Sequence, residues 1–385
     1  MMDRKLLLAY ITAHYLAVTR RWALFISGAF NPYPPPPAGT RLSPSCEHVA
    51  DFACAPLSLS WSRAGIPDPA QWQALARAKL IALLGYERRQ SRPVPVHQMD
   101  FTLPGGLQRR RFYLRARENR DIPVDLVWQA PCRSPRPVML CLHGHNAGAH
   151  LSWGEARMPA DPLKIADGAD YAIQAASRGY VAVCLEQACF GERREQEIAH
   201  PSAHPCFDAA HQALLLGRTL LGERVSDVSS VIDWLETGSA GIALDHRRIY
   251  AMGNSSGGDT SVYAAAVDPR IAGIIASGCV GFFRATVGRR AACPDAIIPG
   301  ILNWLEYDDI LALCAPRAVL AVSGVTDHIY PFAQVEAVAD SAAAVYRAVG
   351  ADNNLRAVPG PHGHRFYPEV AWPAFEEITK QQLMG

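Results

Sequence analysis

Gly253-Asn254-Ser255-Ser256-Gly257 places two hydroxyls among glycines, directly after the apolar run Arg248–Met252 and just before the helix-forming Val262–Val267. Flexible linkers rarely join a buried strand to a helix. G-x-S-x-G at such a junction has the form of a nucleophile elbow. The turn is so sharp that the residues two before and two after the nucleophile must be small. Gly253 and Gly257 meet that need around Ser255. Centred on Ser256, the small positions would be Asn254 and Gly258, and asparagine fits poorly. Ser255 is therefore the expected nucleophile.

A serine hydroxyl is a weak nucleophile until a base removes its proton, and in this arrangement the partners follow in the order Ser, acid, His. Asp327, in "VTDHIYPF", falls just after the strand-like "RAVLAVSG" and can fix an imidazole's tautomer from there. Asp340 lies in a helical pattern and Asp352 precedes the last strand, so both fit less well. Glu306, Asp308 and Asp309 come before the strand and read as a surface turn or helix start. For the base, "PGPHGHRFYPE" offers His362 and His364, and the residues alone leave both open. The oxyanion needs donors worth roughly 3–4 kcal/mol each. The N–H of Ser256 at the helix start is one, and the N–H of His145 in "HGHNAG", where Gly144 permits close approach, is the other.

The remaining histidines raise the question of a metal. His143 and His145 have no third ligand at a recognisable spacing. His200, His204 and His211 with Cys206, in "HPSAHPCFDAAH", match neither HExxH nor a zinc-finger spacing and read as loop residues near the mouth of the site. No metal and no cofactor are expected.

Several elements must position these groups. "PVMLCLHG", "GYVAVCLEQ", "RRIYAMGN", "IAGIIASGC", "RAVLAVSG" and "LRAVPG" alternate with helical patterns near 170–177, 224–236, 260–267 and 333–349. Continuous apolar strands separated by helices imply an α/β protein, its parallel sheet covered on both faces. Ligands then bind beyond the carboxyl ends of the strands. Two further runs, "RRRFYLRAR" and "IPVDLVWQA", precede this series. Upstream, Asp68-Pro69 is a helix start, and Trp72, Leu75, Ala76, Leu80, Leu83 and Leu84 repeat at helical spacing until Gly85. Residues 1–95 thus read as a helical extension with the stiff connector "NPYPPPPAG", and residues 96–385 as the catalytic domain.

Composition narrows the partners. Hydrophobic residues at 49% and charged residues at 19% suit a globular protein with a sizeable core, and 37 basic against 36 acidic side chains argue against a polyanion. Arg109-Arg110-Arg111 is too short a run to bind nucleic acid. The ten cysteines form no CxxC, and Cys141, Cys184 and Cys279 lie in apolar runs. This favours a reducing, cytoplasmic setting and leaves export open; a Cys293–Cys314 pair across a loop also stays open. "KLLLAYITAHYLAV" is too short and polar to span a bilayer, so no stable membrane insertion is expected. Through Leu6, Leu7, Tyr10, Ile11 and His14 it could dock on a second copy of the chain.

From about Leu107 onward, "LCLHGH", "FGER", "LLGRTLLGERVSDVSSVIDWLE", "GNSSGG", "APRAVLAVSGVTDHIYPF" and "GHRF" resemble the α/β-hydrolase superfamily. The similarity is to the branch with dienelactone hydrolase and acetyl xylan esterase-like serine esterases. That resemblance implies an α/β-hydrolase fold with a mostly parallel sheet and a Ser255–His364–Asp327 triad. The family's closing G-H-x-F fits His364 and not His362. Dienelactone hydrolases carry cysteine at the elbow, so Ser255 favours an esterase. The expectation is a cofactor-free serine carboxylesterase acting on small, short-chain (acetyl-type) esters through an acyl-enzyme. Two alternatives are a prolyl oligopeptidase-like peptidase, for which the N-terminal region is too short and helical to supply a propeller, and a non-catalytic hydrolase-fold binding module.

Overall fold

The computed structural model describes residues 15, 32–87, 93–198, 202, 204–290 and 292–384. The N-terminal docking segment around Leu6–His14 and His200 lie outside them. The chain divides into two compact units, Met1–Ala50 and Asp51–Gly385. In the first, residues 32–43 hold no helix or strand and are exposed, as a run of four prolines dictates. Helix α1 (Pro44–Ala53) begins there and crosses the boundary.

The second unit is built on nine strands: β1 (Val94–Thr102), β2 (Leu107–Arg117), β3 (Arg120–Gln129), β4 (Arg136–Leu142), β5 (Val181–Leu185), β6 (Leu244–Asn254), β7 (Ile271–Ser277), β8 (Ala318–Gly324) and β9 (Leu355–Gly360). They form one sheet in the order β1-β2-β3-β5-β4-β6-β7-β8-β9. Pairing is antiparallel from β1 to β5 and parallel from β5 to β9. The parallel strands β4, β5, β7 and β8 are buried along almost their whole length, because helices cover both faces.

Alternation along each strand sorts side chains into two cores. Leu140, Leu142 and Val183 face a core with α2 (Pro69–Leu84), α6 (Leu220–Leu235), α7 (Ser256–Val267), α8 (Tyr307–Ala312) and α9 (Phe332–Ala348). Met139, Cys141, Ala182 and Cys184 face the other, with α4 (Tyr171–Ser177) and α10 (Pro368–Met384). Two short helices, α3 (Asp161–Lys164) and α5 (Pro205–Leu215), flank the carboxyl ends of the strands. No helix among the described residues is long and apolar enough to cross a membrane.

Residues 51–87, grouped above with the N-terminal extension, belong to the main unit. The reason is visible in α2. Asp68 caps it by accepting from Ala70 N–H, Gly85 ends it at φ 60°, and Trp72, Ala76, Leu80 and Leu84 are fully buried in the main core. Arg77 donates to Ala266 O and Leu313 O at 2.7 and 2.9 Å. An apolar helix face with no sheet of its own is buried only by docking on the body's helices.

Candidate active site

β6 ends at Asn254 and α7 begins at Ser256, leaving Ser255 alone in the bend at φ 58° and ψ −130°. A positive φ costs a residue with a side chain about 1–2 kcal/mol. Ser255 N–H donates to Ser277 O at 2.8 Å and Asp259 N–H to Ser255 O at 3.0 Å, so the bend is held from both sides. Its small neighbours are obligatory. A Cβ on Gly253 would stand 2.4 Å from the Gly257 backbone, and one on Gly257 would stand 2.0 Å from Leu142 O. Ser256 differs from Ser255 in being buried, with its hydroxyl accepting from Arg224 Nη1 and donating to Asp295 Oδ2, each at 2.8 Å. Its N–H, in the first turn of α7, has no acceptor within the helix.

Asp327 follows β8 and His364 follows β9, and the structure joins them: His364 Nδ1 lies 2.7 Å from Asp327 Oδ2. The carboxylate also accepts from Ser323 Oγ at 3.1 Å and from the N–H groups of Ile329 and Tyr330 at 2.8 and 3.0 Å. Burial works against its charge, but the His364 bond and the backbone donors hold Asp327 below the usual carboxylate range. The His364 ring sits beside the elbow. A Cβ on Gly278 would lie 3.0 Å from both His364 Cε1 and Asn254 Oδ1. Ser255 and His364 line one cavity of about 310 Å³. His362 is exposed, and its carbonyl accepts from Thr326 N–H.

The loop after β4 closes over Ser255 where Gly144 leaves room, a Cβ there falling 2.5 Å from Asn254 O and 3.2 Å from Ser255 Cβ. The two histidines of this loop part company. His143 is buried, its Nε2 accepting from Gln187 N–H at 3.1 Å and lying 2.9 Å from Glu186 Oε1. His145 turns its Nε2 to Asp295 Oδ2 at 3.2 Å and to Cys206 Sγ at 3.7 Å. Burial disfavours an imidazolium there, yet Asp295 and Cys206 push His145 up to about 9. Arg224 anchors this corner, fully buried and 2.6 Å from Asp295 Oδ2.

His145, Cys206, Cys293 and Asp295 thereby form a group whose nitrogen, sulfur and oxygen donors all lie within 4.8 Å of one another. Cys293 belongs to this corner and not with Cys314, whose Sγ lies against Val262 O and Ile310 O among the helices. All ten cysteines are free thiols. Of the other acids, Glu306, Asp308 and Asp309 do stand at a helix start, that of α8. Glu306 and Asp309 are buried and cap α8 reciprocally, Glu306 accepting from Tyr307 N–H and Asp309 from Glu306 N–H.

Nothing in the sequence pointed to Arg224, Asp295 or Gln187. Each acts through a partner from a distant segment, which spacing along the chain does not report. The cavity wall is mixed, with Lys164, Asp167, Arg290 and Arg365 beside Tyr171, Tyr330, Ile329 and Phe366.

The family model described as the Abhydrolase family matches residues 66–347, and the chain belongs to that family and so to the α/β-hydrolase superfamily. A carbohydrate esterase, MZ0003, from an unknown prokaryotic organism is 32% identical over a stretch covering 32% of this chain and 32% of that protein. The chain thus spans about a third of the curated relative it matches. Among solved structures, a Bacteroides fragilis protein assigned as an acetyl xylan esterase superposes with TM-score 0.67 at 18% identity, over 85% of this chain and 84% of that one. A glucuronoyl esterase from Solibacter usitatus gives 0.62 at 16%, over 85% and 97%. A CE15 glucuronoyl esterase from Teredinibacter turnerae gives 0.60 at 18%, over 92% and 93%. At such identities the likeness establishes the fold.

Proposed function

We propose that the protein is a serine esterase acting on carbohydrate esters, with Ser255 as nucleophile, His364 as base and Asp327 as the acid that orients it. The observation carrying this reading is the 2.7 Å His364–Asp327 pair bordering the same cavity as Ser255. Ser255 Oγ attacks the ester carbonyl while His364 Nε2 takes its proton. The N–H groups of Ser256 and His145 receive the oxyanion. His364 then protonates the leaving alcohol and activates the water that releases the acid.

The substrate class follows from the wall of the cavity. Charged side chains interleaved with tyrosines suit hydroxyl-rich sugars better than a long acyl chain, and the carbohydrate esterases among the relatives agree with this. A small acyl group, acetyl above all, is the expected substituent. The test is hydrolysis of a panel of sugar acetates, uronic acid methyl esters and long-chain esters by the wild type and Ser255→Ala. Sugar esters should turn over fastest, and Ser255→Ala should lose about 10⁴–10⁶-fold in kcat with folding intact. Near-wild-type turnover by the folded variant would refute the assignment, and a preference for long-chain esters would refute the substrate class.

A further inference from the structure

Hydrolysis as described uses the backbone of His145 and leaves its ring aside. That ring, with Cys206, Cys293 and Asp295, makes up the group behind the oxyanion loop. Cys206 lies in the first turn of α5, Cys293 and Asp295 in the loop after β7, and His145 in the loop after β4. We propose that these four side chains form a binding site for a zinc-like divalent metal ion.

The geometry supports it. Tetrahedral zinc, with bonds of about 2.0–2.3 Å, separates a nitrogen from an oxygen ligand by about 3.3 Å and a sulfur from either by about 3.6 Å. The corresponding separations here are 3.2 Å for His145 Nε2–Asp295 Oδ2, and 3.7 Å for both Cys206 Sγ–His145 Nε2 and Cys206 Sγ–Asp295 Oδ2. Three of the four ligands thus already stand at coordination spacing, and Cys293 Sγ lies within 4.8 Å of each of them.

The chemistry is equally suited. Two sulfurs, an imidazole and one carboxylate select zinc or a similar borderline-soft ion over magnesium or calcium. Metal binding displaces the protons of the Cys206 and Cys293 thiols to water. His145 ligates as a neutral ring, so any second ring proton leaves with them. Two thiolates and a carboxylate then balance one divalent ion and the Arg224 guanidinium, which stays as an outer partner 3.3 Å from Cys206 Sγ and 2.6 Å from Asp295 Oδ2. His145, Cys293 and Asp295 border the open cavity, which provides an entry path. Four protein ligands make a closed, structural site, and the metal would tie two loops and the start of α5 together beside Ser255.

The experiment titrates reduced, metal-free full-length protein with cobalt(II), then displaces it with zinc in the presence of a chromogenic chelator. One cobalt per chain is expected, with thiolate charge-transfer absorption in the near ultraviolet and tetrahedral d–d bands in the red. Cys206→Ser/Cys293→Ser should lose the charge-transfer absorption and bind zinc more than about 100-fold less tightly. Cys46→Ser, at an exposed thiol, should match the wild type. If the folded wild type gives no tetrahedral thiolate spectrum, the site does not exist. Unchanged zinc affinity in the double variant would equally overturn it. Neither readout depends on esterase activity.

Discussion

Two histidine–aspartate pairs present their imidazoles to the cavity that holds Ser255, and they are bonded differently. In the His364–Asp327 pair the carboxylate is held by neutral donors: a serine hydroxyl and two backbone N–H groups. His364 Nε2 has no protein partner among the described residues, and the ring borders the cavity. In the His145–Asp295 pair the carboxylate is already bonded to a buried guanidinium and the Ser256 hydroxyl, and His145 Nε2 is taken up by Asp295 and Cys206. The base of the proposed mechanism must keep one nitrogen for the substrate, which His364 does and His145 does not. The comparison teaches that a His–Asp contact beside a nucleophile does not define a triad. The unoccupied nitrogen and the strand ends that aim it do.

The largest expected effect breaks the pair assigned to catalysis. Asp327→Asn keeps the shape but favours the wrong tautomer of His364, so kcat/KM on an activated acetyl ester should fall by about 10³–10⁴-fold. The midpoint of thermal unfolding should move by only a few degrees. A kcat/KM within tenfold of the wild type would show that Asp327 does not orient the base.

The second substitution tests the other pair and should invert the result. Asp295→Asn leaves Arg224 fully buried without its carboxylate, and an unpaired buried charge costs about 3–5 kcal/mol. Urea unfolding of the metal-free protein should register that loss, while kcat/KM should fall less than in Asp327→Asn. Were Asp295→Asn the more damaging to turnover in folded protein, the roles of the two pairs would have to be exchanged.

The unequal legibility of the two corners in the sequence has a physical origin. Ser255, Asp327 and His364 each follow a strand of a parallel sheet, and such a sheet delivers the ends of its strands to one edge. Apolar runs and one G-x-S-x-G were therefore enough to bring them together on paper. The choice of His364 over His362 needed a resemblance as well, because two residues apart on a loop the backbone path alone decides which ring meets Asp327. The second corner draws on α5, α6 and the loops after β4 and β7, whose paths no periodicity encodes. Cys206 and Cys293 stand far apart along the chain, with β6 and β7 between them, and look unrelated there. Similarly, the helix Pro69–Leu84 was plain from its cap and its apolar spacing, but its docking on the body depends on a complementary surface formed by α6, α7 and α8.

Another carboxyl bordering the cavity, Asp259, sharpens the contrast at a smaller scale. Asp259, one turn along α7 from Ser255, is buried, and among the described residues the Tyr307 hydroxyl donates to it at 2.9 Å. Burial, reinforced by the charge of Asp295, pushes it up to about 7. Its folded value thus lies above the ordinary 3.8. Between about pH 4 and pH 7 the folded protein keeps a proton that the unfolded chain has released, so this group makes stability decline as pH rises through that window. Asp259→Asn cannot titrate and should remove that part of the slope. In urea unfolding at pH 5 and pH 8, the variant should gain on the wild type by roughly 2–4 kcal/mol between the two conditions. Parallel behaviour of the two proteins would mean that Asp259 is already ionised in the fold at pH 5, and that it is stabilised as Asp327 is.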